Sequence, residues 1–267
     1  MTRQFQFYIV PTPIGNIKDI TLRAIEVLKE VDIIACEDSR VTQKLLNHYD
    51  IKTKTVSYHK YNERERVSMI LDIINSGKKV ALVSDAGTPL ICDPGSILLE
   101  ELRKNNISTT SLTGSCAVST FLSQIPRDTE EYTFIGFLPK TDKQIQDIYQ
   151  KYKYSNTVFY DSPNRLVKSL KLIQQIEPKI NVAVGRELTK LFEEIVVDSI
   201  DKVIEHFSGE VKGEIVAMTF ACENSEIDNI KDKIEILKQK DFKSKEIVEI
   251  ITTLYDVNKN DVKTLLY

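Results

Sequence analysis

The chain has 267 residues, 42% of them hydrophobic, enough to bury a sizeable core and, at roughly 150 residues per domain, to build about two lobes. With 36 Lys+Arg against 39 Asp+Glu the net charge is −3, which excludes nucleic-acid binding by bulk positive charge and leaves only a local patch to do it. No apolar run approaches a membrane span, Met1-Thr2-Arg3-Gln4-Phe5-Gln6 holds no signal-peptide core, and Cys36, Cys92, Cys116 and Cys222 form no C-x-x-C pair; a soluble, cytoplasmic chain with reduced thiols and no metal site is expected.

In chain order, β-like apolar runs first alternate with amphipathic helical stretches, the pattern of a parallel sheet covered by helices. Phe7-Tyr8-Ile9-Val10 reads as the first strand; Asp19 or Thr21 caps a helix with Leu22, Ile25 and Leu28 on one face, and Ile33-Ile34-Ala35-Cys36 is the second strand. A strand near Thr55-Val56-Ser57 leads to a helix from about Asn62, with Val67, Ile70, Leu71 and Ile74 inward and Gly77 as its stop. Val80-Ala81-Leu82-Val83 is the next strand, Pro94 opens a helix carrying Ile97, Leu98 and Leu102, a further strand ends at Leu112, and a helix runs from about Ser115 to Ser123.

The apolar pattern breaks around Gln124-Ile125-Pro126-Arg127-Asp128, where a boundary is expected. Beyond it come strands at Tyr132-Thr133-Phe134-Ile135, Thr157-Val158-Phe159-Tyr160, Val182-Ala183-Val184, Ile195-Val196-Val197 and Glu214 to Met218, with a helix after Pro163. After Ala221 the chain turns helical and highly charged: Ser244 can cap a helix with Ile247, Ile250, Ile251 and Leu254, and Asn258 another with Val262, Leu265 and Leu266. The fold class is α/β: a parallel-sheet N-terminal lobe over 1–125, a mixed-sheet C-terminal lobe over 126–222 and a small helical tail over 223–267.

Three loops, Pro11 to Asn16, Asp85 to Pro89 and Thr113 to Ala117, each follow the carboxyl end of a predicted strand, where open α/β sheets place their ligand crevice. Glycine there lets backbone approach a ligand closely, although any one of these loops alone is better explained by an ordinary tight turn. Neither G-x-G-x-x-G nor G-x-x-x-x-G-K-[ST] occurs, so the cleft is of another type. Cys36-Glu37-Asp38-Ser39-Arg40 and Arg186 to Lys190 with Glu193-Glu194 set charge beside strand ends, suited to proton transfer or to holding a polar substrate, or else to helix caps and ion pairs. Lys78-Lys79 and Lys151-Tyr152-Lys153-Tyr154 could touch RNA or be solvated faces, and of three histidines only His59 sits in a strand-end loop.

Taken together, Tyr8 to Asn16, Ala35 to Arg40, Leu82 to Leu90, Gly136-Phe137-Leu138-Pro139, Phe159 to Pro163 and Arg186 to Lys190 resemble the tetrapyrrole methylase superfamily, and within it the branch that methylates a cytidine ribose 2′-hydroxyl in the decoding region of small-subunit (16S) ribosomal RNA. The resemblance implies two α/β lobes with S-adenosyl-L-methionine between them, a homodimer, and small-subunit RNA or the assembled subunit as partner. It places the cofactor on Pro13, Val83, Ser84, Asp85, Thr88, Cys116, Ala117, Asp161 and Leu188. The family's usual Pro-Gly-Pro-Ser-Ala loop reads Thr113-Gly114-Ser115-Cys116-Ala117 here, and Val41, Asn164 and Phe192 stand where histidines are common. Methyl transfer needs alignment above all, plus a base for the hydroxyl proton. Glu37 or Asp38 is expected to be that base, with Arg40, His59 and Lys190 binding substrate. A porphyrin-like small-molecule methylase and a non-catalytic ribosome-associated protein remain alternatives at this point.

Overall fold

The computed structural model describes residues 5–222, 225–255 and 257–266; Met1–Gln4, part of the stretch read for a leader, lie outside the described residues. Strands β1 (Phe7–Ile9), β2 (Ile33–Cys36), β3 (Lys54–Ser57), β4 (Val80–Val83) and β5 (Thr109–Ser111) form a sheet in the order β3-β2-β4-β1-β5, every pair parallel. All four residues of β4 are buried, as a central strand covered on both faces requires. Because the strands run one way, all five following loops emerge along one edge. The strand order sets the loops after β3, β2 and β4 side by side, with those after β1 and β5 beyond.

Alternation along β1 divides its side chains between two cores. Tyr8 and Val10 pack with Leu28 of α1 (Leu22–Glu30) and with Leu45 and Leu46 of α2 (Ser39–His48). Phe7 and Ile9 pack with Val67, Ile70 and Ile74 of α3 (Glu63–Asn75) and with Leu98 and Leu102 of α4 (Ser96–Lys104). Among the helices of this sheet, two predicted faces differ from those observed. In α1 the Thr21 hydroxyl accepts the Ala24 N–H at 3.1 Å, and the buried stripe is Ala24, Val27 and Leu28, leaving Leu22 80% exposed in the first turn. In α4, Leu98 and Leu102 are buried while Ile97 lies off that stripe and is exposed. The helix α2 carries little periodic signal in the sequence, because its buried stripe is short, Thr42, Leu45 and Leu46 within an otherwise polar run.

The second sheet joins β6 (Thr133–Phe137), β7 (Thr157–Asp161), β8 (Asn181–Arg186), β9 (Glu194–Ser199) and β10 (Ile215–Thr219) in the order β6-β7-β10-β8-β9. Only β6 and β7 are parallel, which makes it the mixed sheet expected. One face is covered by α6 (Asp142–Tyr152), α7 (Leu166–Gln174) and α8 (Ile200–His206). The other face meets α5 (Ala117–Leu122), whose Val118, Phe121 and Leu122 pack on Val158, Ala183, Val216 and Met218, with Ile14 and Leu188 in the same cluster. A helix of the first sheet thus seats the second, and the loops after β1, β4 and β5 face its strands β7 and β10.

The last segment is three helices, α9 (Ser225–Gln239), α10 (Ser244–Leu254) and α11 (Lys259–Leu266), closed on a core of their own: Ile230, Ile234, Ile247, Val248, Ile251, Val262 and Leu266. Asn258 caps α11 by accepting the Asn260 N–H at 2.9 Å. Ser244, expected as the cap of α10, is instead its first residue; Lys243 precedes the helix, and its N–H donates to Glu246 at 2.8 Å. Among the described residues no helix is long and apolar enough to cross a membrane.

Candidate active site

Between the two sheets lies a cavity of about 440 Å³. Its N-terminal side is made by Ile14, the run Asp85 to Thr88, Ile91 to Asp93, and Cys116-Ala117; its far side by Phe137, Tyr160 to Pro163, Leu188 and Gly213 to Val216. Backbone builds the first side. Thr12 N–H donates to the Gly87 carbonyl at 2.9 Å and Gly87 N–H returns to the Thr12 carbonyl at 3.0 Å, while the Thr12 hydroxyl donates to the Ser84 carbonyl at 3.0 Å. The Thr88 hydroxyl donates to the Ser115 carbonyl at 2.9 Å, so the loops after β1, β4 and β5 are tied in series. Gly114 closes the series: a Cβ there would stand 2.5 Å from the Pro11 Cβ, so only glycine lets the two loops touch.

Contact between the lobes is equally close at Gly15, whose Cβ would meet the Leu188 carbonyl at 2.7 Å and the Lys190 Cγ at 2.5 Å. Beside it the Asn16 N–H donates to the Thr189 hydroxyl at 3.0 Å. Glu187 and Thr189 both have positive φ, 51° and 64°, a conformation costing non-glycine residues about 1–2 kcal/mol each. The backbone held this way presents Leu188 between them to the cavity. Strain of this kind clusters where a site must be held in shape.

Of the residues expected to hold a cofactor, Asp85, Thr88, Cys116, Ala117, Asp161 and Leu188 line the cavity. Pro13 does not; its neighbour Ile14 takes that place. Val83 and Ser84 lie beneath the wall, Val83 in the core and Ser84 with its hydroxyl on the Ala86 and Gly87 carbonyls at 3.3 and 3.2 Å. The Asp161 carboxylate is buried and fully employed, accepting from the Ser162 N–H at 2.7 Å, the Ser169 hydroxyl at 2.6 Å and the Arg165 guanidinium. Arg165 in turn donates to the Pro139 carbonyl at 2.9 Å, so Asp161 shapes the cavity floor rather than offering its side chain to a ligand.

The acidic residues expected as bases lie one strand away, on the loop after β2. Asp38 caps α2 by accepting the Arg40 N–H at 2.9 Å and grips the Arg40 guanidinium at 3.0 and 2.6 Å; that hydrogen bonding holds its carboxyl down at about 2. Its own N–H donates to Asp85 at 3.0 Å, linking this loop to the cavity wall. Glu37 is free of such pairing. Burial lifts its carboxyl above the ordinary range, and the charges of Asp85 and Asp93 add to the rise. Asp93, which sequence reasoning missed, lines the cavity; burial lifts it too, against a hydrogen bond from Ser84 and with the Asp85 charge. Its signal was available, an acid directly before Pro94 in the same loop as Asp85, although α4 starts only at Ser96 and not at Pro94 as expected.

Tyr160 was also missed as a wall residue. It lies between Phe134 and Phe137, ring centroids 5.2 Å from each, and burial with the nearby Cys116, Cys92 and Asp93 pushes its phenol up. Lys190, expected to hold phosphate, bridges Glu187 at 2.7 Å and Glu214 at 2.9 Å instead. Arg40 remains exposed despite its partner, and His59 stands in the next loop with Nδ1 buried and without a hydrogen bond. Lys78-Lys79 precedes β4 and Lys151 to Tyr154 precedes β7, at the strand ends opposite the cavity. No cluster of His, Cys, Asp and Glu fit to hold a metal ion occurs among the described residues.

Residues 6–204 match the family model described as Tetrapyrrole (Corrin/Porphyrin) Methylases. The chain is 45% identical over 217 residues to the ribosomal RNA small subunit methyltransferase I of Hydrogenobaculum sp. (strain Y04AAS1), covering 79% of this chain and 94% of that one. To the protein of the same name from Vibrio cholerae it is 38% identical over 263 residues, covering 95% and 91%. Among solved structures, the uroporphyrin-III C-methyltransferase of Thermus thermophilus complexed with S-adenyl homocysteine superposes with a TM-score of 0.57 at 16% identity, over 80% of this chain and 96% of that chain; this is likeness of fold.

Proposed function

The chain belongs to the tetrapyrrole methylase family, and from that premise we propose that it is an S-adenosyl-L-methionine-dependent methyltransferase acting on a cytidine ribose 2′-hydroxyl in small-subunit ribosomal RNA. The observation that carries the reading is the cavity between the two sheets, with the carboxylates of Asp85 and Asp93 in its wall. At about 440 Å³ it falls in the range of roughly 300–1,000 Å³ typical of small-molecule sites. Its donor set suits the cofactor: Ile14, Leu188, Val216 and Tyr160 offer apolar and aromatic surface to a nucleoside, and Asp85 and Asp93 offer negative charge to a sulfonium. When bound, S-adenosyl-L-methionine supplies the methyl group as an electrophile.

The protein's own work is then alignment and proton removal. The interlocked loops after β1, β4 and β5 fix the wall without mobile side chains, which keeps donor and acceptor at near-attack distance. Glu37 accepts the hydroxyl proton on its carboxylate oxygen; its raised pKa makes it a stronger base than an ordinary carboxylate, whereas Asp38 is committed to Arg40 and the start of α2. Arg40 and His59 meet the substrate at the rim, and Lys190 holds the loop that presents Leu188. The chain works as a homodimer on the RNA or the assembled subunit. Tritiated cofactor is offered to assembled small subunits, to protein-free small-subunit RNA and to a tetrapyrrole precursor. Label enters RNA on this reading; label in the precursor alone would overturn it.

A further inference from the structure

Outside the cavity, the loop after β3 presents an aromatic ring that no packing accounts for. Tyr61 is 95% exposed, more than any other large hydrophobic side chain among the described residues. The loop that carries it is well tied: Asn62 N–H donates to the His59 carbonyl at 3.0 Å, Asn62 Oδ1 accepts the His59 N–H at 2.8 Å, and Asn62 Nδ2 donates to the Ser57 carbonyl at 3.2 Å. Tyr61 therefore stands at the tip of a closed turn, edge-on to the His59 ring with centroids 6.1 Å apart. A ring held out in water forgoes the gain of burial, and the turn spends three hydrogen bonds keeping it there.

The position of the loop gives the ring a use. β3 pairs with β2, so this turn lies beside the loop carrying Glu37, close enough for the His59 charge to act on that carboxyl. Lys60 and Arg64 on either side of Tyr61 are exposed and without an ion pair among the described residues, and Arg40 is exposed at the start of the neighbouring α2. Resting on the RNA reading above, we propose that this loop is a stacking platform for an unpaired base of single-stranded RNA, with Tyr61 as the ring and Lys60, Arg64 and Arg40 meeting flanking phosphates. Single-stranded RNA is recognised by bases splayed onto aromatic rings, and such stacking tolerates any base because each has a π face. The carboxylates Glu37, Asp85 and Asp93 repel phosphate from the cavity mouth. The strand accordingly turns its sugar edge toward the cavity and its phosphates outward to the lysine and arginines.

Methyl transfer from tritiated cofactor to small-subunit RNA, protein-free or within assembled subunits according to which accepts label, with cofactor affinity measured by calorimetry, tests this. Tyr61→Ala raises KM for RNA about 10- to 100-fold, with kcat within about two-fold and cofactor Kd unchanged, and Tyr61→Phe recovers most of the loss. Lys60→Ala raises KM and lowers its log–log dependence on salt by about one. Because the chain contains no tryptophan, Tyr61→Trp makes the loop its sole indole reporter, and a single-stranded oligocytidylate quenches that fluorescence. A wild-type KM for Tyr61→Ala, or no quenching, overturns the platform while leaving the function standing. No transfer by the wild-type protein to that RNA in either form, protein-free or assembled into small subunits, overturns the function and the platform with it.

Discussion

Along the inner wall of the cavity, the loops after β1, β4 and β5 hold one another by backbone and by threonine hydroxyls, with Gly114 against Pro11. Along the rim, the loops after β2 and β3 meet solvent with charged and aromatic side chains, Glu37, Arg40, His59, Lys60 and Tyr61. A wall made of backbone can receive a fixed small molecule and tolerates few substitutions. A rim made of side chains can be re-specified one residue at a time, and its substitutions should change turnover or substrate affinity while sparing stability and cofactor binding.

The largest expected departure tests the rim. Glu37→Gln lowers kcat about 100- to 10,000-fold while cofactor Kd stays within about two-fold; full turnover by this variant would remove Glu37 from the mechanism. Next comes the cavity floor. Asp161→Ala strands Arg165, Ser169 and the Ser162 N–H and lowers unfolding free energy by about 3 kcal/mol, read from urea midpoints. Gly114→Ala forces Pro11 aside, lowers stability by about 2 kcal/mol and weakens cofactor binding at least several-fold. A Gly114→Ala protein with wild-type stability and affinity would break the contrast between wall and rim.

Smaller effects sharpen it. A carboxylate base works ionised, so activity is lost as pH falls through its pKa. Burial, then Asp85 and Asp93, raise the Glu37 pKa, so the acid limb of kcat/KM lies above the ordinary carboxylate range, and Asp85→Asn moves it down. Arg40→Ala is the mildest: KM for RNA rises about three-fold with a shallower salt dependence, and cofactor affinity holds.

Much of the wall was legible in the sequence because it rests on glycines and prolines after β-like runs, a local signal. Five of the strands in the first sheet and the glycine loops after three of them follow from such runs. The cavity's far side was less legible: Glu214 and Tyr160 enter it through strand pairing of β10 with β7, which joins residues more than fifty positions apart. Side-chain commitments were invisible for the same reason. Lys190 reads as a free cation in the sequence, whereas the fold brings Glu214 to it, and nothing in the sequence shows that Ser169 and Arg165 engage the carboxylate of Asp161 while the residue lines the cavity. The face of α1 was missed by phase alone, since Thr21 starts the helix with Leu22 pointing to water.

Where the methyl group goes decides which reaction this cleft carries out. Small-subunit RNA labelled by the protein with tritiated S-adenosyl-L-methionine is digested to nucleosides and separated. Tritium is expected in 2′-O-methylcytidine, with its initial rate of entry lowered at least about 100-fold when Glu37→Gln replaces the wild-type protein. Tritium in a base-methylated nucleoside, or in no nucleoside at all, would contradict this reading.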